Sequence, residues 1–474
     1  MKKFRVFAKP VIFLLALALS ISAVRGRVAA APAHDVLART AVLYEMNSGQ
    51  VLYEKDMRAR RAPDNLVKVM TLLVAVRACE AGNVAPDDYV TAGETAWDGV
   101  DAGDKLRPGE RMSFSDLMYM AYFGVDDAAC NAVAEHVAGS VGSFVEMMNG
   151  AARELGCEDT KFTNTHGRDD PEQYTTAWDL AVIMTAACGS PLFVQIAGTF
   201  KTTLDGTNYS AQRDISSPNQ ILNDSGRYYY RDATAARTSG TYENGYGLVA
   251  SAARDDVSLI GVILGAVAVT LEDESTQMQN LTEGIRLFEW GFGNFSWRSV
   301  LSASELIAQA PVEYGDGADG VLLRPSDAIE LLIDNDIDES AFSRDVVIYS
   351  ERDGQPLTAP IESGAILGEI TVYMDGKKCG SSYLVANTGV ELQRIKYIED
   401  QVWAALGNKW VRFSIFIVVV LFAVYIALVI RYNRIRRARL RRIKEAKQRI
   451  IDERRNGGAR EEHDDYYYDG RLHK

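Results

Sequence analysis

The stretch APDNLVKVMTLLVAV, Ala62–Val76, decides how the chain is read. After Asp64 and Asn65 it carries one charged residue, Lys68, in a run that is otherwise apolar or small. Asp64 and Asn65 are both good helix N-caps, and Gly82 is a natural stop, so the spacing predicts a helix over about 65–82. Apolar residues on every side of that helix predict a central, buried position. Lys68 then sits one turn beyond Asn65, on the same face. A buried ammonium is costly unless it is paired, and burial lowers its pKa toward the range of a base, which makes Lys68 a candidate functional residue.

Working outward, TAVLYEMNSGQVLYEKD (40–56) reads as two short strands around an Asn-Ser-Gly turn, and YGLVASAARDDVSLIGVILGAV (246–267) as a second hairpin turning at Arg254-Asp255-Asp256. Between them, helical patterns such as FSDLMYMAYF and VGSFVEMMNGAARELG fill 113–190. Strands from both ends with helices between predict one sheet with a helical insert, an α/β (α+β) class. After Phe292-Gly293-Asn294-Phe295 the pattern changes to short alternating runs, GVLLRP, RDVVIYS and GEITVYMDG, which predict a small all-β domain.

The chain has 474 residues, room for two or three domains, and a net charge of −13. That charge is unevenly spread: Arg431–Arg449 holds ten Lys/Arg against one acid, a net +9, and the rest carries −22. An acidic body argues against nucleic acid as a partner. The five cysteines form no CxxC and lie near no paired histidines, so they read as small buried hydrophobes, with no metal site and no cofactor; one disulfide is allowed in an exported protein. The start is basic, then apolar from Val11 to Ala23, then rich in small residues, the layout of an export signal over 1–33, with an uncleaved anchor as the alternative. FSIFIVVVLFAVYIALVI (413–430) is uncharged and reaches about 27 Å as a helix, enough to cross hydrocarbon. Its basic flank predicts a cytoplasmic tail over 431–474, near anionic lipid, and therefore a body outside the cytoplasmic membrane. Residues 394–412 predict an amphipathic segment leading into that span.

Several segments together resemble the D-alanyl-D-alanine carboxypeptidases, the low-molecular-weight penicillin-binding proteins. They are RRAPDNLVKVMT (60–71), AACNAVAEHVAGS (128–140), FVEMMNGAARELG (144–156), FTNTHGRDDPEQYTTAWDLA (162–181), GYGLVASAARDD (245–256) and FEWGFGNF (288–295). LGEITVYMDGKKCGSSYLVA (367–386) is similar to that family's C-terminal module. The resemblance implies a serine β-lactamase/D,D-peptidase-like domain over 36–295, the small β domain over 296–393, and one transmembrane helix.

The resemblance also implies where chemistry should lie. The family's Ser-x-x-Lys, whose Ser takes up the acyl group while the Lys manages its proton, falls on Asn65-Leu66-Val67-Lys68. The Lys is kept; the Ser is an Asn, whose amide nitrogen is not a useful nucleophile. The Ser-x-Asn motif falls on Gly124-Val125-Asp126, followed by Asp127-Ala128, and the Lys-Thr-Gly motif on Arg237-Thr238-Ser239. No Ser or Thr stands three residues before a Lys between Asp56 and Gly82, which fixes the register.

These substitutions lead to specific expectations. Lys68 pairs with the new acid Asp126, or else reaches solvent through the old cleft. Asn65 reads first as a helix cap, and alternatively as a group that bonds a ligand. Arg237 and Thr238 either hold a ligand carboxylate, which Arg can do bidentately, or are ordinary strand-edge residues. His166 reads as structural. The functional expectation is a pseudoenzyme outside the membrane that binds peptidoglycan stem peptide or a cell-wall assembly protein. The alternatives are an active D,D-carboxypeptidase in which Asp126 activates water, and a receptor that signals through its tail.

Overall fold

The computed structural model describes residues 36–456 except 101–104, 125, 242 and 271–275. The expected export signal and the end of the tail lie outside the described residues. The chain divides into two compact units. The first runs to Ala303 and adds residues 327–345 and 370–382.

In the first unit, β1 (Thr40–Glu45) and β2 (Val51–Lys55) form the expected N-terminal hairpin. Far along the chain come β3 (Ala233–Thr241), β4 (Gly245–Arg254) and β5 (Val257–Ala266). The five build one antiparallel sheet in the order β2-β1-β5-β4-β3. Asp255 takes φ +51 in the β4–β5 turn, a left-handed conformation that Asp tolerates.

Strand alternation sends the two sheet faces into different cores. Val42, Tyr44, Ala235, Val249, Ile260 and Val262 face the helical insert. Ala41, Leu43, Ala236, Leu248, Leu259 and Ile263 pack instead with Leu287 and Phe288 of the helix Gln279–Asn294. Within the insert, α1 (Val67–Glu80) has eleven of its 14 residues buried, as the all-round apolar sequence requires. Around it lie α2 (Phe114–Phe123), α3 (Asp127–Ala138), α4 (Val141–Glu154) and α5 (Ala177–Cys188). Later in this unit, Phe295–Leu301 pairs antiparallel with Ile329–Asp334.

The second unit holds an antiparallel pair, Ala308–Glu313 with Gly320–Pro325; the latter also pairs with residues 384–386. It ends in two helices, Arg394–Gly407 and Lys409–Asn456. The 48 residues of the last helix span about 72 Å, far more than hydrocarbon alone requires. It is long and apolar enough to cross a membrane, by length and composition. Ile395, Ile398, Val402 and Trp403 are exposed on the helix before it. All five cysteines are free.

Candidate functional site

The site lies where α1, the α2–α3 junction and β3 meet. Asp64–Leu66 forms a single 3-10 turn that runs directly into α1. Asp64 sits at φ +46, left-handed and buried, and its carboxylate accepts from Asn244 Nδ2. Its carbonyl lies so close to Gly167 that a Cβ there would stand 2.1 Å from the oxygen. This turn sets Asn65 at the edge of a cleft and turns Lys68 inward.

Lys68 is 2 % exposed. Its ammonium donates to Asn65 Oδ1 at 3.0 Å and to Asp127 Oδ1 at 2.8 Å. The other oxygen of Asp127 accepts from Arg168 Nε at 2.9 Å. Burial pushes the Asp127 carboxyl up, but the Lys68 charge, its hydrogen bond and that of Arg168 outweigh burial and hold the group below the usual carboxylate range. The four side chains make one string: Asn65, Lys68⁺, Asp127⁻, Arg168⁺. Next to it, His166 is buried and its Nδ1 accepts the Arg168 N–H at 3.2 Å. Burial pushes this imidazole down to about 4, despite the attraction of Asp127.

Two expectations need correcting. The partner of Lys68 is Asp127, not Asp126. Asp126 is the N-cap of α3: its Oδ1 accepts from Ala128 N at 3.0 Å and its Oδ2 from Leu106 N at 3.3 Å. A short acid at the first position before a helix satisfies the orphan amides there, and this turns its carboxylate away from Lys68. It also engages both oxygens of Asp126, so the geometry lends no support to Asp126 as a base for water. Likewise, Asn65 is not a helix cap: no side chain caps the start of α1, and the Asn65 oxygen serves the buried ammonium instead.

Gly124 ends α2 with φ +69, the left-handed C-terminal position that glycine favours. A Cβ at this position would stand 2.9 Å from Arg237 Nη2 and 3.3 Å from Lys68 Nζ. Arg237 lies on edge strand β3 yet is only 1 % exposed. Its Nε donates to the Asn65 carbonyl at 3.1 Å and its Nη1 to the Tyr122 carbonyl at 2.6 Å, with the guanidinium 5.7 Å from the Tyr122 ring centre. Burial pushes its pKa below the ordinary value, against the pull of Tyr122 and Asp127. Arg237 is thus an inward-facing residue that ties β3 to the ends of two other elements.

Thr238 donates its N–H and its hydroxyl to Asn219 Oδ1, at 2.8 and 3.1 Å, and Asn219 Nδ2 donates to the Ala236 carbonyl at 2.7 Å. The side chain of Ser239 is accommodated by the glycine directly opposite, since a Cβ on Gly247 would lie 2.6 Å from Ser239 Oγ. A cleft of about 820 Å³ opens here, lined by Asn65, Gly124, Ser217, Gln220, Thr238 and Tyr246 among others. The structure therefore brings Asn65, Lys68, Gly124, Arg237, Thr238 and Ser239 together and leaves Asp126 behind them. Asp127, Arg168, Tyr122 and Asn219 escaped the sequence reading. Asp127 alone carried a signal, as the acid that follows the Ser-x-Asn position of the resemblance. Among the described residues no cluster of His, Cys, Asp and Glu has the makings of a metal site.

A terminal-strand sheet, a helical insert and a buried Lys in the first turn of the insert's central helix define a fold of the penicillin-binding-protein, D,D-peptidase type. The comparisons agree. The sequence pattern of the D-alanyl-D-alanine carboxypeptidase family matches residues 27–268, and the chain belongs to that family. It is 30 % identical to the D-alanyl-D-alanine carboxypeptidase DacA of Haemophilus influenzae, over 74 % of this chain and 84 % of the relative. It is 29 % identical to DacD of Escherichia coli, over 72 % and 83 %. Among solved structures it is similar to penicillin binding protein 5 from Haemophilus influenzae, at 29 % identity and TM-score 0.55, covering 76 % of this chain and 98 % of that one.

Proposed function

We propose that this protein is a membrane-anchored, extracytoplasmic family member that no longer transfers acyl groups and acts by binding peptidoglycan stem peptide or a cell-wall assembly protein. The observation that carries the proposal is the string Asn65–Lys68–Asp127. The position that would bear the acyl group presents an amide oxygen already bonded to Lys68, and Lys68 is in turn an ammonium bound to a carboxylate. A cleft of about 820 Å³ remains beside it, large enough for a peptide ligand. The uncharged run 413–430, inside the helix Lys409–Asn456 and followed by the basic stretch, supports a single span with the tail on the cytoplasmic side. In this reading residues 1–33 are an export signal, 36–295 and 296–393 the two exported domains, and 394–412 the juxtamembrane segment.

Two measurements test the loss of turnover. Wild-type protein should take no covalent label from fluorescent penicillin, and it should release no D-alanine from a pentapeptide ending in D-Ala-D-Ala. Release of D-alanine that Asp126→Ala abolishes would replace this reading with a water-based hydrolase. Binding of the pentapeptide or of purified wall fragments, followed by calorimetry, would assign the stem peptide as ligand, and its absence would leave the assembly protein.

A further inference from the structure

Resting on that proposed function, we infer that a missing hydroxyl at position 65 is not the only bar to acyl transfer: two internal contacts, Lys68 with Asp127–Arg168 and Arg237 with Gly124, lock the centre, so that restoring a serine at 65 does not restore the reaction.

Acylation by a β-lactam has a simple balance. A serine oxygen forms a bond to the lactam carbonyl carbon and the ring C–N bond breaks. The hydroxyl proton leaves to a base and a proton is delivered to the ring nitrogen. Lys68 would have to be that base, and a base must begin unprotonated. Here its ammonium is 2 % exposed, 2.8 Å from Asp127, and Asp127 is fixed from its other side by Arg168. A carboxylate held below its usual pKa remains an anion throughout the neutral range, so the amine would have to give up a 2.8 Å ion pair before it could serve as a base. The first lock is therefore electrostatic, and it stands whatever residue occupies 65.

The second lock is steric. Arg237 projects into the space beside Gly124, where any Cβ would meet Nη2 at 2.9 Å. The position that would carry a second proton-transferring hydroxyl thus has no room for a side chain while Arg237 holds the Asn65 and Tyr122 carbonyls. The same two bonds occupy Nε and Nη1 of the guanidinium that would otherwise be offered to a ligand carboxylate. The Ala236 carbonyl and the Thr238 N–H beside it are also taken, by Asn219.

The test uses the full-length protein in detergent micelles. Wild type, Asn65→Ser and a thermal cycle of Gly124→Ser, Arg237→Lys and their double variant are prepared. Asn65→Ser should melt within about 2 °C of wild type and take no label from fluorescent penicillin. Covalent labelling of Asn65→Ser with wild type unlabelled would overturn the locks and leave the proposed function standing, whereas labelling of wild type would overturn the function itself. The thermal cycle stands even if Asn65→Ser does not fold. The melting drop caused by Gly124→Ser should be larger with Arg237 present than in the Arg237→Lys background, because the guanidinium makes the closest approach to that space, while the left-handed backbone and Lys68 Nζ at 3.3 Å oppose a side chain in both backgrounds. Equal drops would remove the steric lock.

Discussion

Removing the Asp127 carboxylate isolates a buried ammonium, and the cost can be worked out from the geometry. In Asp127→Ala, Lys68 stays 2 % exposed and, among the described residues, keeps the neutral Asn65 oxygen as its hydrogen-bond partner. Breaking a fully buried pair costs about 3–5 kcal/mol because the surviving charge stays desolvated. Asp127's side chain is 22 % exposed, so some water reaches the site, and about 3 kcal/mol is expected. For a unit of this size that is a fall of about 6 °C or more in Tm. Lys68→Met should cost only about 1 kcal/mol, since the volume is kept and Asp127 retains Arg168. The double variant should then resemble Lys68→Met, giving a coupling of about 3 kcal/mol. Thermal unfolding read by tryptophan fluorescence suits the question, because Trp178 packs edge-on against Tyr44, 5.6 Å between ring centres, inside this unit. A loss below about 1 kcal/mol in Asp127→Ala, or additive effects in the double variant, would refute the buried ion pair.

Three further outcomes follow from the same geometry. His166 is held near 4 in the folded chain against an ordinary 6.5, so between these values the unfolded state binds the extra proton. Stability from this group is thus fully present above pH 6.5 and falls by up to about 3 kcal/mol on the way to pH 4; denaturant titrations of wild type and His166→Gln should show a shallower acid loss in the variant. Gly167→Ala places a Cβ 2.1 Å from the Asp64 carbonyl at φ +93, and should cost at least about 3 kcal/mol or prevent folding; a Tm close to wild type would contradict the close approach. Asn219→Ala removes the acceptor of two Thr238 bonds and should cost about 2 kcal/mol, with faster hydrogen exchange of the Thr238 amide as the local readout.

What was legible from sequence follows from which features are local. The strands of β1–β2 and β4–β5 are short, largely apolar runs that turn at Asn-Ser-Gly and Asp255-Asp256, so short-range signals placed both hairpins. The burial of α1 was legible because its apolar residues leave no polar face. Partner choice was not legible, because it depends on side-chain direction at a helix start. Asp126 and Asp127 are adjacent and chemically the same, and only the N-cap geometry decides that the first bonds amides while the second meets Lys68. The direction of Arg237 was not legible for a related reason: its place on a strand edge left a ligand-binding and an ordinary role open, and only the tertiary structure shows the side chain turned inward into the space beside Gly124. Arg168 and Asn219 lie in loops, where spacing carries no periodic signal.

The energetics of the ion pair bear on what the cleft is for. Exchanging a buried salt bridge for apolar groups of similar volume is often neutral or stabilising, so stability alone is a weak account of Lys68, Asp127 and Arg168 standing in line. What the line does achieve is orientation. Lys68 fixes the oxygen of Asn65, and the planar amide is left with Nδ2 as its one donor at a position that lines the cleft. A donor held by a buried cation, which is itself held by an acid, is pre-organised to meet a carbonyl at little entropic cost. That is the geometry of recognition, and it supports binding as the role of the site. It also separates two substitutions of similar size: Asn65→Leu removes the donor and should abolish ligand binding, whereas Asn65→Gln moves it and should weaken binding while leaving the Lys68–Asp127 pair in place.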